Sequence, residues 1–470
     1  MNKIYIKERN GYLAKNIAIF TLGNIGSKII SFFLVPFYTN YLSISEYGVI
    51  DLITTICVLM APIFTMNIEE AVMRFALDNN ADIENILSIG MKIVVFGFLI
   101  GLLTIPIFGF VTPISEYSFL IYLYAISLGI SQFFLCFLRG KELLLKYSIG
   151  NILNVFLIAM FNIIFLYRFH WGIKGYVKAY ILANLITAIY AYLTGGVWKK
   201  HFNYFPDFSL QRNMLKYSIV LIPNTFMWWI INSSDRIMIT LIINEGANGI
   251  YAISNKFPTL IATFSTIFTK AWSYSAIKES ESDDRANYTN DIFNKLFGFM
   301  SIVGVGLMGV MRPFLNIYVE KSYYSAWKYT PYLIIGGVFL TMASFLSTTY
   351  TVHKDSKGFL FSGLAGAVSN IILNLILIPF IGIDGAALAT CISYIVVFVY
   401  RCFDIKKYIK LKILKAQNII SAGILVISGV IMLTCSYVIG EIIIVLFFFI
   451  LLFINQKKII MFFKSLTGRK

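Results

Sequence analysis

Five charged residues lie inside long apolar segments, where their side chains are the ones most able to do chemistry. They are Lys28, Asp51, Asp235, Arg236 and Lys256. A charge at the centre of a bilayer costs at least about 2.5–3.5 kcal/mol on insertion scales, so each should face a cleft or an oppositely charged partner. Arginine can bind a phosphate through two parallel hydrogen bonds, and lysine binds it as a point charge. The excess of cations therefore predicts recognition of an anionic head group such as a diphosphate.

A second group of charges follows the second apolar segment, where Glu69 and Glu70 precede Arg74. The predicted binding residues are four cations: Lys28, Arg74, Arg236 and Lys256. Three acidic residues could carry a coupled proton or sodium ion, or act as charge partners: Asp51, Glu70 and Asp235. The alternative is that these charges form fixed ion pairs between helices. Asp51 would then pair with Lys28, Asp235 with Arg236 or Lys256, and Arg74 with either glutamate.

Two adjacent tryptophans, Trp228 and Trp229, lie in the middle of the seventh apolar segment. Tryptophan usually collects at the ends of such segments, near the membrane surface. Because neighbours on a helix point in different directions, one indole can face a cleft while the other packs. An indole face suits the apolar side of a sugar ring or a lipid chain, and core packing is the alternative.

Motifs for catalysis, metal binding and nucleotide binding do not account for the sequence. The Gly304–Gly309 stretch matches GxGxxG, but it lies inside an apolar segment, where small residues favour close helix packing. Gly97 and Gly101 form a similar packing face. The three histidines are far apart, and the five cysteines are scattered without CxxC spacing, which predicts neither a metal site nor a disulfide framework. We therefore expect no metal, no cofactor and no enzyme activity.

The composition places these residues in a membrane protein. Of 470 residues, 58% are hydrophobic and 13% are charged, against roughly 45–50% and about 25% in soluble domains. The mean hydropathy is +0.78. A soluble fold could not bury so much apolar surface without leaving large exposed patches. The composition thus predicts an all-α polytopic membrane protein.

About fourteen segments are long enough to cross a bilayer as helices. They lie near 17–40, 48–68, 89–111, 117–137, 148–168, 173–197, 215–243, 247–272, 293–319, 330–352, 358–381, 384–403, 417–438 and 440–456. With a cytoplasmic N-terminus, thirty of the 39 lysines and arginines fall on the cytoplasmic side and six outside. This bias predicts that both termini are cytoplasmic. The net charge of +16 is then a signal of topology, and nucleic acid is not an expected partner.

Short matches recur about 200–210 residues apart. Gly172-Ile-Lys-Gly resembles Gly382-Ile-Asp-Gly, Asn162-Ile-Ile resembles Asn370-Ile-Ile, and Gly48-Val-Ile resembles Gly249-Ile-Tyr. Each match is offset by six segments, which predicts two six-helix lobes related by a pseudo-twofold axis along the membrane normal. We expect lobes at 1–206 and 207–412, and two additional helices at 413–470. Two such lobes would form a cleft of the kind used by transporters.

The order of local features resembles the polysaccharide and O-antigen flippases of the multidrug/oligosaccharidyl-lipid/polysaccharide exporter superfamily. These features are Glu46-Tyr-Gly, Arg74-Phe, Pro223 followed by Asp235-Arg236, and Gly249-Ile-Tyr with Lys256. The resemblance implies alternating-access translocation of an undecaprenyl-diphosphate-linked oligosaccharide across the bacterial cytoplasmic membrane, for O-antigen or capsule synthesis. It also implies membrane lipid, a polysaccharide polymerase and glycosyltransferases as partners, and the four cations as the cavity lining.

Three other functions compete with this interpretation. A peptidoglycan-precursor lipid flippase also has fourteen spans, and no residue excludes it. A multidrug/cation antiporter normally uses twelve spans and an acidic site, which the four cations disfavour. A membrane glycosyltransferase or polymerase should carry a large polar loop, and the longest polar stretch here has about 20 residues, from Lys278 to Lys295.

Overall fold

In the computed structural model, every regular element of the described residues is helical. Those residues are 26–78, 81–110, 113–199, 207–278, 282, 284–412 and 415–467. The helices are α1 (26–41), α2 (Ile44–Phe64), α3 (Ile68–Ala76), α4 (Ile83–Gly101), α5 (Thr104–Gly109), α6 (Ser118–Gly140), α7 (Leu144–Asn162), α8 (Gly172–Thr194), α9 (Phe208–Ile242), α10 (Glu245–Ser254), α11 (Pro258–Lys278), α12 (Arg285–Tyr318), α13 (Thr330–Val352), α14 (Ser356–Ile381), α15 (Ile383–Asp404), α16 (Ala416–Thr434) and α17 (Tyr437–Thr467). Short 3₁₀ or π-helical turns occupy Ser115–Tyr117, Ile163–Arg168, Val197–Lys199, Lys321–Lys328 and Ile405–Lys407.

Twelve helical stretches in the described part of the chain are long and apolar enough to cross a membrane. The all-α polytopic prediction is therefore confirmed, and its count of about fourteen is roughly consistent with this number. Predicted span one corresponds to α1, and its first residues, 17–25, lie outside the described residues. Predicted span eight is divided into α10 and α11. Pro258 begins α11. Proline is tolerated at this position because the first N–H groups of a helix make no hydrogen bond within the helix.

The chain divides into two compact units, Met1–Phe226 and Met227–Lys470, and the division falls within α9. The first unit has a core built by α3, α4, α6 and α8, with Ile68, Leu87, Phe133 and Ala191 among its buried side chains. Glycine allows α4 to approach α2 closely, since a Cβ on Gly97 would overlap the carbonyl oxygen of Phe64. The packing role predicted for Gly97 and Gly101 is thus confirmed.

The two repeated glycine motifs occupy matching positions in the two units. Gly172 begins α8 with a φ of 51°, and Gly382 precedes α15 with a φ of 61°. Both values lie in the left-handed region, which glycine adopts without a steric penalty. A Cβ on Gly385 would lie 2.5 Å from the Leu377 backbone near the end of α14. A Cβ on Gly175 would lie 2.8 Å from Trp171 Cβ and 3.2 Å from Phe165 Cβ in the turn before α8. The repeat therefore encodes a tight helix-to-helix turn in each unit.

The second unit ends with α16 and α17, which pack on α12, and polar side chains join α16 to α12 and to α17. Asn418 Nδ2 donates to Asn294 Oδ1 over 2.6 Å, and Gln417 Nε2 donates to Asn455 Oδ1 over 3.0 Å. Gly304 packs against Leu425 of α16 and Val338 of α13. The GxGxxG match is therefore a helix-packing face, as predicted.

Candidate functional site

A buried cluster of oxygen atoms lies inside the second unit, around Asp235 of α9. Asp235 is 2% exposed. Its Oδ2 accepts hydrogen bonds from the hydroxyl of Tyr251 on α10 and, over 3.2 Å, from that of Thr390 on α15. Tyr251 and Thr390 are also buried. Two helices thus direct hydroxyl groups at one carboxylate on a third.

Two asparagines of α14 extend this cluster. Asn374 Nδ2 donates to Asn370 Oδ1 over 3.0 Å, and Ser234 Oγ donates to the same oxygen over 3.0 Å. Asn370 Nδ2 lies 3.4 Å from Thr390 Oγ1. Asn374 Oδ1 is inaccessible to solvent and accepts no hydrogen bond. We call Asp235, Tyr251, Asn370, Asn374 and Thr390 the Asp235 cluster.

The chemistry of the Asp235 cluster suits a single positive charge. It offers one carboxylate together with neutral hydroxyl and amide oxygens, and hard cations prefer such oxygen ligands. One negative charge balances a proton or one monovalent ion. A buried charged site of this kind inside a membrane helix bundle is a functional candidate by default.

Arg236 lies immediately beside this cluster and is partly accessible. Its backbone N–H donates to Asp235 Oδ1 over 2.9 Å, and its Nη1 donates to the carbonyl oxygen of Asn232 over 2.7 Å. The distance from Nη1 to Asp235 Oδ1 is 3.9 Å, and 16% of the Arg236 side chain is exposed. The Asp235–Arg236 ion pair that the sequence offered as an alternative is therefore present only at this long distance. The hydrogen bond of the guanidinium goes to Asn232 instead.

One face of α9 carries Trp228, Asn232 and Arg236, which are spaced four residues apart. Asn232 Nδ2 donates to the Trp228 carbonyl over 2.6 Å, while Asn232 Oδ1 accepts from the hydroxyl of Tyr394 over 2.9 Å. The Trp228 ring lies 6.3 Å from that of Phe359. We call Trp228, Asn232, Arg236 and Tyr394 the α9 face. It places an aromatic side chain and a cation on one surface, an arrangement that can bind a ligand with an apolar part and an anionic part.

The other predicted residues are distributed over both units. Lys28 is exposed on α1, Asp51 is half-buried on α2, and Lys256 is half-buried between α10 and α11. Trp229 is half-buried on α9. The four predicted cations therefore divide evenly, with Lys28 in the first unit and Lys256 in the second.

Arg74 forms an ion pair with Asp78, at 2.7 Å from Nη1 to Oδ1, and both side chains are more than half exposed. The sequence offered an ion pair of Arg74 with Glu69 or Glu70 as the structural alternative. In the structure Arg74 pairs with Asp78, four residues further along the chain. Glu70 is half-buried, whereas Glu69 is almost fully buried.

Sequence reasoning missed most of the Asp235 cluster. In the sequence, Tyr251 marks the duplication and the family resemblance and Asn370 marks the duplication, while Asn374 and Thr390 are not among the predicted site residues. The available signal was the spacing of Asn370 and Asn374, four residues apart in an otherwise apolar helix. Two arginines, Arg312 and Arg401, are buried in the structure, although the sequence did not predict that they lie in the interior. Arg401 donates to Ser362 Oγ and Ala343 O, and Arg312 lies 4.0 Å from the ring centre of Trp327.

Comparison with known proteins adds the following similarities. The sequence family described as "Polysaccharide biosynthesis protein" matches residues 13–273. An uncharacterised membrane protein of Methanocaldococcus jannaschii is 25% identical over 315 residues, covering 62% of this chain and 59% of its own. A probable lipid II flippase MurJ of Thermotoga maritima is 26% identical over 200 residues, covering 40% of this chain and 41% of its own. The chain spans about three fifths of the length of the curated relatives that it matches first.

A solved structure of lipid II flippase MurJ in an inward closed conformation has the same fold. The match has a TM-score of 0.66 and 16% sequence identity, and it covers 96% of this chain and 100% of that one.

Proposed function

Because the chain belongs to the polysaccharide biosynthesis protein family, we propose that it flips a polyprenyl-diphosphate-linked oligosaccharide across the bacterial cytoplasmic membrane by alternating access. Supporting this, the chain is a multi-pass membrane protein with polar groups inside its helix bundle. A sugar–diphosphate head cannot cross hydrocarbon unaided, since desolvating unpaired phosphates is prohibitive. The protein is then a transporter rather than an enzyme. The cargo serves surface polysaccharide synthesis: glycosyltransferases assemble it before it is flipped, and a polymerase uses it afterwards.

The observation that carries this proposal is the α9 face. Arg236 offers a partly exposed guanidinium whose Nη1 is held by the Asn232 carbonyl. A guanidinium fixed in this way can bind an oxygen of a diphosphate. Trp228, two turns away, offers an indole for the sugar or the first prenyl units. Lys28 and Arg74 in the first unit and Lys256 in the second are the other cations that we propose for recognition of the cargo.

The Asp235 cluster supports coupling of this transport to an ion. When a proton or a sodium ion occupies the cluster, the carboxylate no longer attracts the Arg236 guanidinium 3.9 Å away. Arg236 is then more strongly available to an anionic cargo. In this scheme ion binding and cargo binding favour each other, and Asp51 and Glu70 remain additional candidates for charge coupling.

Purified protein in proteoliposomes tests the cargo. We expect it to move a labelled polyprenyl-diphosphate oligosaccharide to the opposite leaflet, measured by its accessibility to an impermeant glycosidase. Because a charge-assisted hydrogen bond contributes about 1.5–3 kcal/mol, Arg236→Ala should slow flipping by about tenfold or more. Lys357→Ala, which removes an exposed lysine of α14, is the matched control and should flip at the wild-type rate.

Wild-type flipping by a variant with all four cations neutralised would refute anion recognition. Asp235→Asn should abolish any dependence of the rate on a sodium or proton gradient, while Arg236→Lys should retain that dependence. A gradient response that survives Asp235→Asn would remove the Asp235 cluster from the coupling scheme.

The second candidate cargo is the peptidoglycan-precursor lipid. The observation favouring it is the similarity of part of the chain to a probable lipid II flippase. The same proteoliposomes loaded with lipid II distinguish the two cargoes. If the protein flips lipid II and does not flip other polyprenyl-diphosphate oligosaccharides, the cargo is the peptidoglycan-precursor lipid and the surface-polysaccharide cargo is excluded.

A further inference from the structure

The first unit contains an interrupted helix with a buried acid beside the interruption. Helix α2 ends at Phe64 and α3 begins at Ile68. Between them Met66 and Asn67 have φ values of 54° and 52°. Non-glycine residues in this left-handed region cost of the order of 1–3 kcal/mol each and persist only where the surroundings hold them. The interruption is therefore a defined feature of the fold.

Packing holds this interruption from several sides. The Asn67 side chain donates to Thr225 Oγ1 of α9 over 3.4 Å. The α4 backbone at Gly97 lies against Phe64, and a Cβ on Gly129 of α6 would lie 3.0 Å from Thr65 Cγ2. Interrupted helices inside membrane proteins are recurrent positions for ion binding, because the backbone there can respond to charge.

Glu69 lies in the first turn of α3, directly after the interruption. Only 5% of it is exposed, and its Oε2 is inaccessible and accepts no hydrogen bond. Its neighbours Ile68, Ala71 and Val72 belong to the apolar core of the unit. The Thr65 side chain and the Glu69 backbone are hydrogen-bond partners of this carboxyl group, but an ionised carboxylate in such surroundings still needs a cation to repay its lost hydration.

None of the described ionisable residues forms an ion pair with Glu69. On its own helix, Glu70 is a second acid, and Arg74 is paired with Asp78. The ionisable side chains facing the two glutamates from other helices are Cys136 and Arg139 on α6 and Tyr147 on α7. The Arg139 guanidinium lies over the Tyr147 ring, 5.5 Å from its centre.

The remaining helices packed against α3 bring no buried cation to Glu69. Helix α4 carries Glu84, which is half-buried, and Lys92, which is exposed. Helix α9 brings Tyr217, whose ring lies 6.2 Å from that of Phe75. With no cation bound to it, Glu69 is most stable in its neutral form.

We propose that Glu69 is a proton-binding site of the first unit and that it carries its proton in the structure described here. The proton is exchanged with water: the carboxyl O–H bond breaks, and a negative charge then appears beside the Thr65–Asn67 interruption. This site is separate from the Asp235 cluster in the second unit. It does not depend on the cargo, and so it can be tested without a transport assay.

Infrared difference spectroscopy on the purified full-length chain tests the protonation directly. At neutral pH the wild type should show a protonated-carboxyl C=O band that disappears as the pH is raised. Glu69→Gln should lose this band, and Glu70→Gln, the matched control one residue away, should keep it. Asp235→Asn identifies the contribution of the Asp235 cluster, and Glu441→Gln identifies that of Glu441, whose carboxylate oxygens are also inaccessible. An unchanged band in Glu69→Gln would overturn the proposal.

A chemical measurement on the wild type avoids dependence on a variant that fails to fold. Hydrophobic carbodiimides react with protonated carboxyl groups in apolar surroundings. At neutral pH, peptide mass spectrometry should find the adduct on Glu69 and not on Glu70. Modification of Glu70 alone, or of neither residue, contradicts a protonated Glu69. Failure of oligosaccharide flipping would leave both measurements unaffected.

Discussion

Replacing Gly97 by alanine tests the close contact on which the α2–α3 interruption depends. A Cβ at this position would overlap the Phe64 carbonyl oxygen and lie 2.9 Å from its carbonyl carbon. Both are backbone atoms, which cannot rotate away as a side chain can. Alanine must therefore push α4 from α2 at the last residue before the interruption.

The magnitude follows from two opposing effects. Overpacking of a tight contact costs typically about 1–3 kcal/mol. Alanine in place of glycine inside a helix returns roughly 0.5–1 kcal/mol. We expect the free energy of unfolding of Gly97→Ala to be lower by about 1–2 kcal/mol, within the range that these two effects allow.

The matched control is Gly423→Ala in α16, where an added Cβ would meet no atom within 4 Å. The same gain in helix propensity then acts alone, so this variant should be as stable as the wild type or slightly more stable. Thermal unfolding of both variants in the same detergent, followed by tryptophan fluorescence, measures the difference. If Gly97→Ala were as stable as Gly423→Ala, the close backbone contact would be refuted.

Two further predictions concern the connection between α13 and α14 and the C-terminal helices of the second unit. The Gly358 amide and the Lys407 ammonium hold the pKa of Asp355 down to about 2, so its stabilising effect is present above the unfolded-state pKa of about 4 and is lost as the pH falls toward 2. Asp355→Asn should thus lower stability at neutral pH and narrow its gap to the wild type on acid titration; a constant gap would contradict this ion pair. Asn418→Ala should lower the midpoint of thermal unfolding, since Asn294 loses a buried hydrogen-bond donor, at a cost of about 1–3 kcal/mol; an unchanged midpoint would show that the bond contributes nothing.

The sequence predicted those features of the fold that depend on apolar length and on glycine. The spans follow from runs of about 20 apolar residues, and a repeated glycine motif identified matching positions, although the tight turns at Gly172 and Gly382 are a finding of the structure. The interruption at Met66 and Asn67 was not predictable, because neither residue is a glycine or a proline. Its conformation is fixed by packing from α4, α6 and α9, which a local pattern does not contain.

The candidate site was predictable only in part, because a local sequence pattern does not show which residues the fold brings together. Asp235 and Arg236 are conspicuous because lipid penalises charge. Tyr251 and Thr390 are ordinary residues in membrane helices, and only the fold brings them to one carboxylate. Glu69 and Glu70 are adjacent and chemically alike, so their different burial depends on how α3 packs against α6.

The side-chain hydrogen bonds from α16 to α12 and to α17 have a consequence for biosynthesis. Asn294 and Asn455 are buried in the finished chain, yet α16 and α17 are synthesised last. Until α16 is inserted, the Asn294 side-chain oxygen of α12 lacks the donor that Asn418 provides. A chain that ends after α15 would therefore keep a buried acceptor without its donor, and we expect its α12 to be less stably packed than in the full chain.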